Sequence, residues 1–153
     1  MMRLQVGDKI PNFSAIDATG RLFESQSIVG KKAVIIYFYP KDNTPQCTAQ
    51  ACGFRDYYSD FKDLEIDIIG ISADDKASHQ DFAQKYNLPF ILLSDADNVI
   101  RKLFGVPNQL FGLLPGRVTY LVDKNGIVQL IFDSMIGMKH VKRMIDKVNH
   151  ESN

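Results

Sequence analysis

Tryptophan is absent from this chain, cysteine occurs only twice in 153 residues, and neither sign of charge dominates, with 18 basic and 18 acidic residues. Each shortage excludes something. Balanced charge without a like-charge run argues against a nucleic-acid footprint and against a polybasic membrane patch, which leaves a soluble partner or a small substrate. No apolar stretch approaches the roughly 20 residues that cross a bilayer, and the longest runs, such as Ala33 to Tyr39, are strand-sized, so no membrane span is expected. The opening Met1-Met2-Arg3-Leu4-Gln5-Val6-Gly7-Asp8 has neither an apolar signal core nor a long Ser-rich, acid-poor lead. A cytoplasmic location is therefore expected, with an organelle lumen left open for a chain whose leader has been removed. Two cysteines five positions apart are too few for a secreted disulfide scaffold and suit a protein that uses thiols chemically.

What is present is an ordinary globular composition, 45% hydrophobic and 24% charged, which suits one core and one domain over residues 1–153. Residues 33–39 form a β-branched and aromatic run ended by Pro40, the pattern of a strand buried on both faces. Residues 66–72 repeat that pattern. Residues 117–122 and 127–132 make two more strands about Asp123-Lys124-Asn125-Gly126, whose Asn-Gly pair is a strong hairpin signal. Helical patterns lie at 47–62, at 76–86 behind the capping residues Asp74 and Asp75, at 96–104 ending on Gly105, and at 138–149. In the last of these Val141, Met144, Ile145 and Val148 share a face. Residues 8–32, broken by Gly20 and Gly30, read as an N-terminal hairpin or loose extension. The alternation predicts an α/β fold of thioredoxin-like layout, a central mixed β-sheet flanked by helices with an N-terminal β-hairpin extension.

Both cysteines fall in the segment Pro40 to Asp56, where a strand end passes through a Pro-containing loop into a helix. Pro45 fits the first helical turn, where its missing N–H costs little. Cys47 then stands near a helix N-terminus, whose unpaired N–H groups and positive dipole end stabilise a thiolate, the nucleophilic form of the thiol. Cys47 and Cys52 held in one helix would have Cα atoms about 8.6 Å apart, beyond the ~7 Å limit for a disulfide, so bonding them requires the helix to unwind. Gly53 is a poor helix former and lowers the cost of unwinding by up to about 1 kcal/mol relative to Ala.

Pro40-x-x-x-Thr44-x-x-Cys47 resembles the active-site motif of peroxiredoxins. The extension Thr44-Pro45-x-Cys47-Thr48-x-Gln50-Ala51-Cys52-x-Phe54-Arg55-Asp56 is similar to their bacterioferritin comigratory protein, or peroxiredoxin Q, subgroup. Gly7-Asp8-x-x-Pro11-x-Phe13 and Gly116-Arg117-x-Thr119-Tyr120-x-x-Asp123-Lys124-x-Gly126 carry the resemblance over essentially the whole chain. It implies a thiol peroxidase acting on hydrogen peroxide and organic hydroperoxides, with Cys47 as the peroxidatic and Cys52 as the resolving cysteine. By the same resemblance Thr44 orients the peroxide, Arg117 is a cation near the thiolate, and Pro40 shields the pocket. Thioredoxin or a similar dithiol protein would return the Cys47–Cys52 disulfide to thiols. Resolution within one chain needs no second subunit, so a monomer or weak dimer is expected. Gln46 departs from the Gly of many subgroup members.

Singly, each residue has a plainer reading: Thr44 as a loop hydroxyl or cap, Arg117 as a strand-edge charge, Pro40 as a strand terminator. Their joint match to the motif reverses the balance. His79, His140 and His150 show no ligand spacing near the cysteines, so no metal or cofactor is expected. The apolar segment 107–116, with Leu110, Phe111, Leu113 and Leu114, reads as ordinary packing before it reads as a peroxide entrance or docking patch. Tyr57, Tyr58 and Phe61 read as core-facing aromatics. A disulfide oxidoreductase usually presents C-x-x-C, which this spacing is not; a redox-sensing module of the same fold is the alternative from another class.

Overall fold

Continuous apolar runs become the middle of the sheet, because there a residue is buried whichever face it points to. The computed structural model describes residues 3–109 and 114–152. In chain order its elements are β1 (Ser14–Asp17), β2 (Leu22–Glu24), β3 (Ala33–Phe38), α1 (Pro45–Asp56), α2 (Tyr58–Asp63), β4 (Ile66–Ser72), α3 (Lys76–Tyr86), β5 (Ile91–Ser94), α4 (Val99–Phe104), β6 (Asn108–Gln109), β7 (Leu114–Pro115), β8 (Val118–Val122), β9 (Val128–Asp133) and α5 (Gly137–Ser152). Among the described residues a seven-stranded sheet runs in the order β2-β1-β5-β4-β3-β8-β9. Its centre is parallel, β3 on β4 on β5, and its flanks are antiparallel. This is the mixed thioredoxin-like α/β sheet that the alternation predicts, and the N-terminal hairpin β1–β2 joins its edge through β5.

Alternate residues of β3 feed two apolar layers. Ile35 and Tyr37, with Tyr39 just beyond the strand, meet Phe54 and Phe61 and the buried face of α5. Val34, Ile36 and Phe38 meet Ile71, Phe104 and Tyr120 on the other side. Ring contacts such as Tyr37–Phe54 at 5.0 Å and Phe104–Tyr120 at 5.2 Å fill the layers, and each fully buried ring contributes roughly 2–3 kcal/mol of transfer free energy. Val141, Met144 and Val148 are the buried stripe of α5, with Ile145 half-buried beside them.

Several details differ from the sequence expectations. The helix expected over 47–62 breaks at Tyr57 (φ −102°, ψ 10°), which separates α1 from α2. The break turns Tyr57 outward, 42% exposed, while Phe61 is fully buried and Tyr58 packs at the core margin. β5 is an additional strand; its four residues are too short a run to announce themselves. At the 123–126 turn only Gly126 of the Asn-Gly pair takes positive φ (+83°). The turn is held instead by the Asp123 carboxylate, which accepts from Asn125 N–H at 2.9 Å and Ile127 N–H at 3.0 Å. Leu110, Phe111 and Leu113 lie outside the described residues.

Glycines set the approach of α5 to α1. A Cβ on Gly53 would stand 2.8 Å from Met138 Sδ and 2.9 Å from Val141 Cγ2, so this buried glycine is where the two helices touch. A Cβ on Gly137 would collide with the Gln46 carbonyl oxygen and Gln50 Cβ. Gly137→Ala is expected to lower stability by about 2 kcal/mol through overpacking, read as the midpoint of urea unfolding; an unchanged midpoint would mean that the contact relaxes freely.

Candidate active site

Leaving β3, the chain turns through Pro40 into a loop whose last residue, Thr44, is the N-cap of α1. Its hydroxyl donates to the Lys41 carbonyl at 2.8 Å and makes no cap bond to the helix. Pro45 is the first helical residue, as its fixed φ and missing N–H favour. Cys47 is therefore third in the helix, among the backbone N–H groups that have no intrahelical acceptor, and is 1% exposed.

Arg117 enters from the opposite side. It follows Gly116, where a Cβ would collide with the Pro107 carbonyl oxygen, and leads into β8. Its Nη2 donates to Cys47 Sγ at 3.2 Å and its Nη1 to Gln50 Oε1 at 2.6 Å, while its buried Nε has no hydrogen-bond partner among the described residues. A guanidinium nitrogen and the first turn of a helix thus both lie against the sulfur. A cavity of about 480 Å³ opens here, lined by Pro40, Thr44, Gln46, Pro115, Arg117 and Met135 among others. Pro40 thus stands at its wall, and the lining is mostly apolar.

Two groups that sequence reading passed over anchor these segments. The buried Arg101 donates to the carbonyls of Gly116 at 2.7 Å and Tyr39 at 3.3 Å, tying together the residues that precede Arg117 and Pro40. Asp42, midway between Pro40 and Thr44, is buried and accepts from Tyr39 Oη at 2.6 Å and Ser78 Oγ at 2.9 Å, with His79 Nδ1 at 2.7 Å. Its own N–H donates to Asp74 Oδ2 at 2.8 Å. Asp42, Asp74 and His79 bring ligand-type atoms within 4.8 Å of one another, yet these atoms already bind each other and their neighbours, which makes the cluster an anchor for the loop. In sequence, Asp42 looks like any loop acid and Arg101 like a helix-surface cation.

A further chain of buried groups continues behind Arg117. Gln50 Nε2 donates to Thr119 Oγ1 at 3.4 Å, Thr119 Oγ1 lies 2.7 Å from His140 Nδ1, and His140 Nε2 lies 2.6 Å from the Ser134 carbonyl oxygen. His140 is fully buried, and burial, with Arg117 adding to it against the Ser134 contact, pushes its pKa down to about 4.

Cys47 and Cys52 are both free thiols within α1. Burial pushes the Cys52 thiol up from its ordinary pKa, with Arg55 opposing the shift and Asp56 adding to it. Gln46 uses its side chain across the helix pair, its Oε1 accepting the Gly137 N–H at 2.8 Å, a bond that a glycine at this position would lack. The geometry thus gathers Arg117, Thr44 and Pro40 around one cavity, with the buried Cys47 behind its wall on Arg117 and Cys52 farther along the same helix.

The site so built is a thiol, a guanidinium and a Thr/Pro loop at the end of a central strand of a thioredoxin-like sheet. The AhpC/TSA family profile matches residues 6–131, and the chain belongs to that family. Its relatives within the family include peroxiredoxin Q proteins. The chloroplastic peroxiredoxin Q of Oryza sativa subsp. japonica is 52% identical over 132 residues, which cover 86% of this chain and 60% of that protein. The chain thus spans about 60% of the length of such curated plant relatives. Among solved structures, peroxidoxin BcpB from Mycobacterium tuberculosis superposes with a TM-score of 0.84 at 30% identity, covering 93% of this chain and 94% of that one. A PrxQ variant from Xylella fastidiosa superposes with a TM-score of 0.88 over 100% of both chains at 22% identity, a likeness of fold.

His140 binds its proton less readily in the folded chain than in the unfolded one. The unfolded chain takes up a proton near the ordinary histidine value of 6.5, the folded chain only near 4. Stability from this group is therefore fully present above about pH 6.5 and is lost as pH falls toward 4. Between pH 7 and pH 5 the loss amounts to about 2 kcal/mol. His140→Phe is expected to flatten the stability-versus-pH slope over that interval in urea titrations; an identical slope in both proteins would remove the histidine as its source.

Proposed function

We propose that the chain is a thiol-dependent peroxidase that reduces hydrogen peroxide and organic hydroperoxides through Cys47. The observation that carries this reading is the 3.2 Å bond to a buried sulfur at the start of a helix from Arg117, which itself lines a mostly apolar cavity. The thiolate attacks one peroxide oxygen, the O–O bond breaks, and the departing alkoxide or hydroxide leaves as alcohol or water. The sulfur becomes a sulfenic acid. The Arg117 guanidinium stabilises the charge that moves from sulfur to the leaving oxygen, and its unpartnered Nε is a donor for the peroxide. Thr44 already donates to the loop carbonyl, so its oxygen is free to accept the peroxide O–H and hold the O–O bond in line with the sulfur. Pro40 closes the wall against water.

Cys52 resolves the sulfenic acid. Its sulfur attacks Cys47, water leaves and a disulfide forms, which a dithiol protein of the thioredoxin type then reduces by exchange. Both sulfurs start in one helix, so α1 must open across 47–53. Opening separates Gly53 from Met138 and Val141, frees the Gln46 bond to Gly137, and removes the burial that holds the Cys52 thiol up. Resolution within the chain suits a monomer.

Stopped-flow mixing of the reduced protein with peroxide tests the reading. Cys47→Ser is expected to abolish rapid consumption. Cys52→Ser should react once, accumulate sulfenic acid and stop turning over with thioredoxin. Consumption at the pace of an ordinary free thiol would favour a redox-sensing module, and sustained turnover by Cys52→Ser would overturn the resolving role.

A further inference from the structure

The bonds behind Arg117 form a single path through three secondary-structure elements, and the hydrogen positions along it follow from one fixed end. The Ser134 carbonyl can only accept, so His140 Nε2 must donate to it. His140 is fully buried and, with its pKa near 4, neutral at physiological pH, so its Nδ1 carries a lone pair and must accept. The partner at Nδ1 is the Thr119 hydroxyl, which therefore donates its proton there and keeps its oxygen as an acceptor. That oxygen receives the Gln50 amide N–H at 3.4 Å. With its nitrogen on Thr119, the Gln50 amide must aim its oxygen at Arg117, which donates to it at 2.6 Å. The last link is Arg117 Nη2 on the Cys47 sulfur.

We propose that Thr119 and His140 are positioning residues for Arg117: through the Gln50 amide, this one-directional chain of hydrogen bonds fixes the guanidinium on the Cys47 sulfur. The proposal rests on the reading of Cys47 as the sulfur that attacks peroxide. A plainer account is that buried polar groups satisfy one another wherever they occur. Two observations go beyond it. In β8 the neighbours Val118, Tyr120, Leu121 and Val122 are apolar or aromatic, and Thr119, itself fully buried, places its hydroxyl between Gln50 and His140. The path also ends on the sulfur, so a reversal at any link turns the Gln50 amide and presents an N–H to a guanidinium that has no acceptor to offer.

The test is a double-mutant cycle on the single-turnover rate with peroxide. Thr119→Val keeps the side-chain shape and removes the hydroxyl. It is expected to slow the peroxide step about tenfold in the parent protein, the scale of a modest misplacement of a positioned group. In an Arg117→Ala background the same change should alter the rate by less than about twofold, because the group it acts through is gone. Thr119→Ser, which restores the hydroxyl, should recover most of the rate. An undiminished rate in Thr119→Val, or the same slowing in both backgrounds, would overturn the proposal. Should Thr119→Val prove unfolded by thermal melting, His140→Phe breaks the chain one link further back and is read by the same cycle. Guanidinium N–H signals of Arg117, followed by NMR in the reduced protein, give a readout independent of peroxide chemistry. They are expected to be sharp and separate in the parent and averaged in Thr119→Val. A parent that does not consume peroxide rapidly would sink the proposed function, while the NMR comparison still decides whether the chain holds the arginine.

Discussion

A guanidinium nitrogen 3.2 Å from a nearly inaccessible sulfur is a contact that a protein cannot hold casually, because both groups have left water to make it. Burying a cation is costly unless the surrounding groups accept its protons. Arg117 has Gln50 and Cys47 as acceptors on its two terminal nitrogens, and the segments around it are held by Arg101 on one side and Asp42 on the other. The sheet places Arg117 at the start of β8, next to the end of β3, because those strands pair antiparallel with Phe38 against Val118. The thiol helix begins where β3 ends, so one pair of neighbouring strands brings both partners together.

Stability and function pull in opposite directions along α1. Phe54 and Ala51 are fully buried, Gly53 lies against α5, and Gln46 reaches over to the first residue of that helix. All of this favours the closed helix in which Cys47 meets Arg117. In the proposed cycle the same contacts must yield before the two sulfurs can meet. The elevated pKa of Cys52 fits this division, since a resolving thiol that stays protonated while the helix is closed does not compete for peroxide.

The parts of the fold legible in the sequence were those with a strong local cause. The runs at 33–39 and 66–72 became central strands because nearly every residue in them is apolar, and the helix at 76–86 appears with the bounds its pattern predicts, its cap Asp75 accepting from Ser78 N–H at 2.8 Å. β5 was missed because its four residues gain their strand character from lying between β4 and β1. The break at Tyr57 has no glycine or proline to mark it. At the site, the resemblance to peroxiredoxins named Pro40, Thr44, Cys47 and Arg117 together, while the link between Gln50, Thr119 and His140 could not be assembled from sequence. They come from α1, β8 and α5, and only tertiary packing makes them neighbours. Arg101 and Asp42 were hidden for a different reason: charged residues in a helix and a loop are ordinarily solvated, and their burial follows from groups arriving from distant segments, the Tyr39 carbonyl at Arg101 and the Ser78 hydroxyl at Asp42.

The contact between Arg117 and Cys47 is tested most directly by the second-order rate of the reduced protein with hydrogen peroxide in parent and Arg117→Ala, under single-turnover conditions so that resolution and recycling do not enter. Loss of a preorganised charge at the reacting atoms should lower that rate by about a hundredfold or more. An Arg117→Ala protein that reacts at the parent rate would contradict the account at its centre.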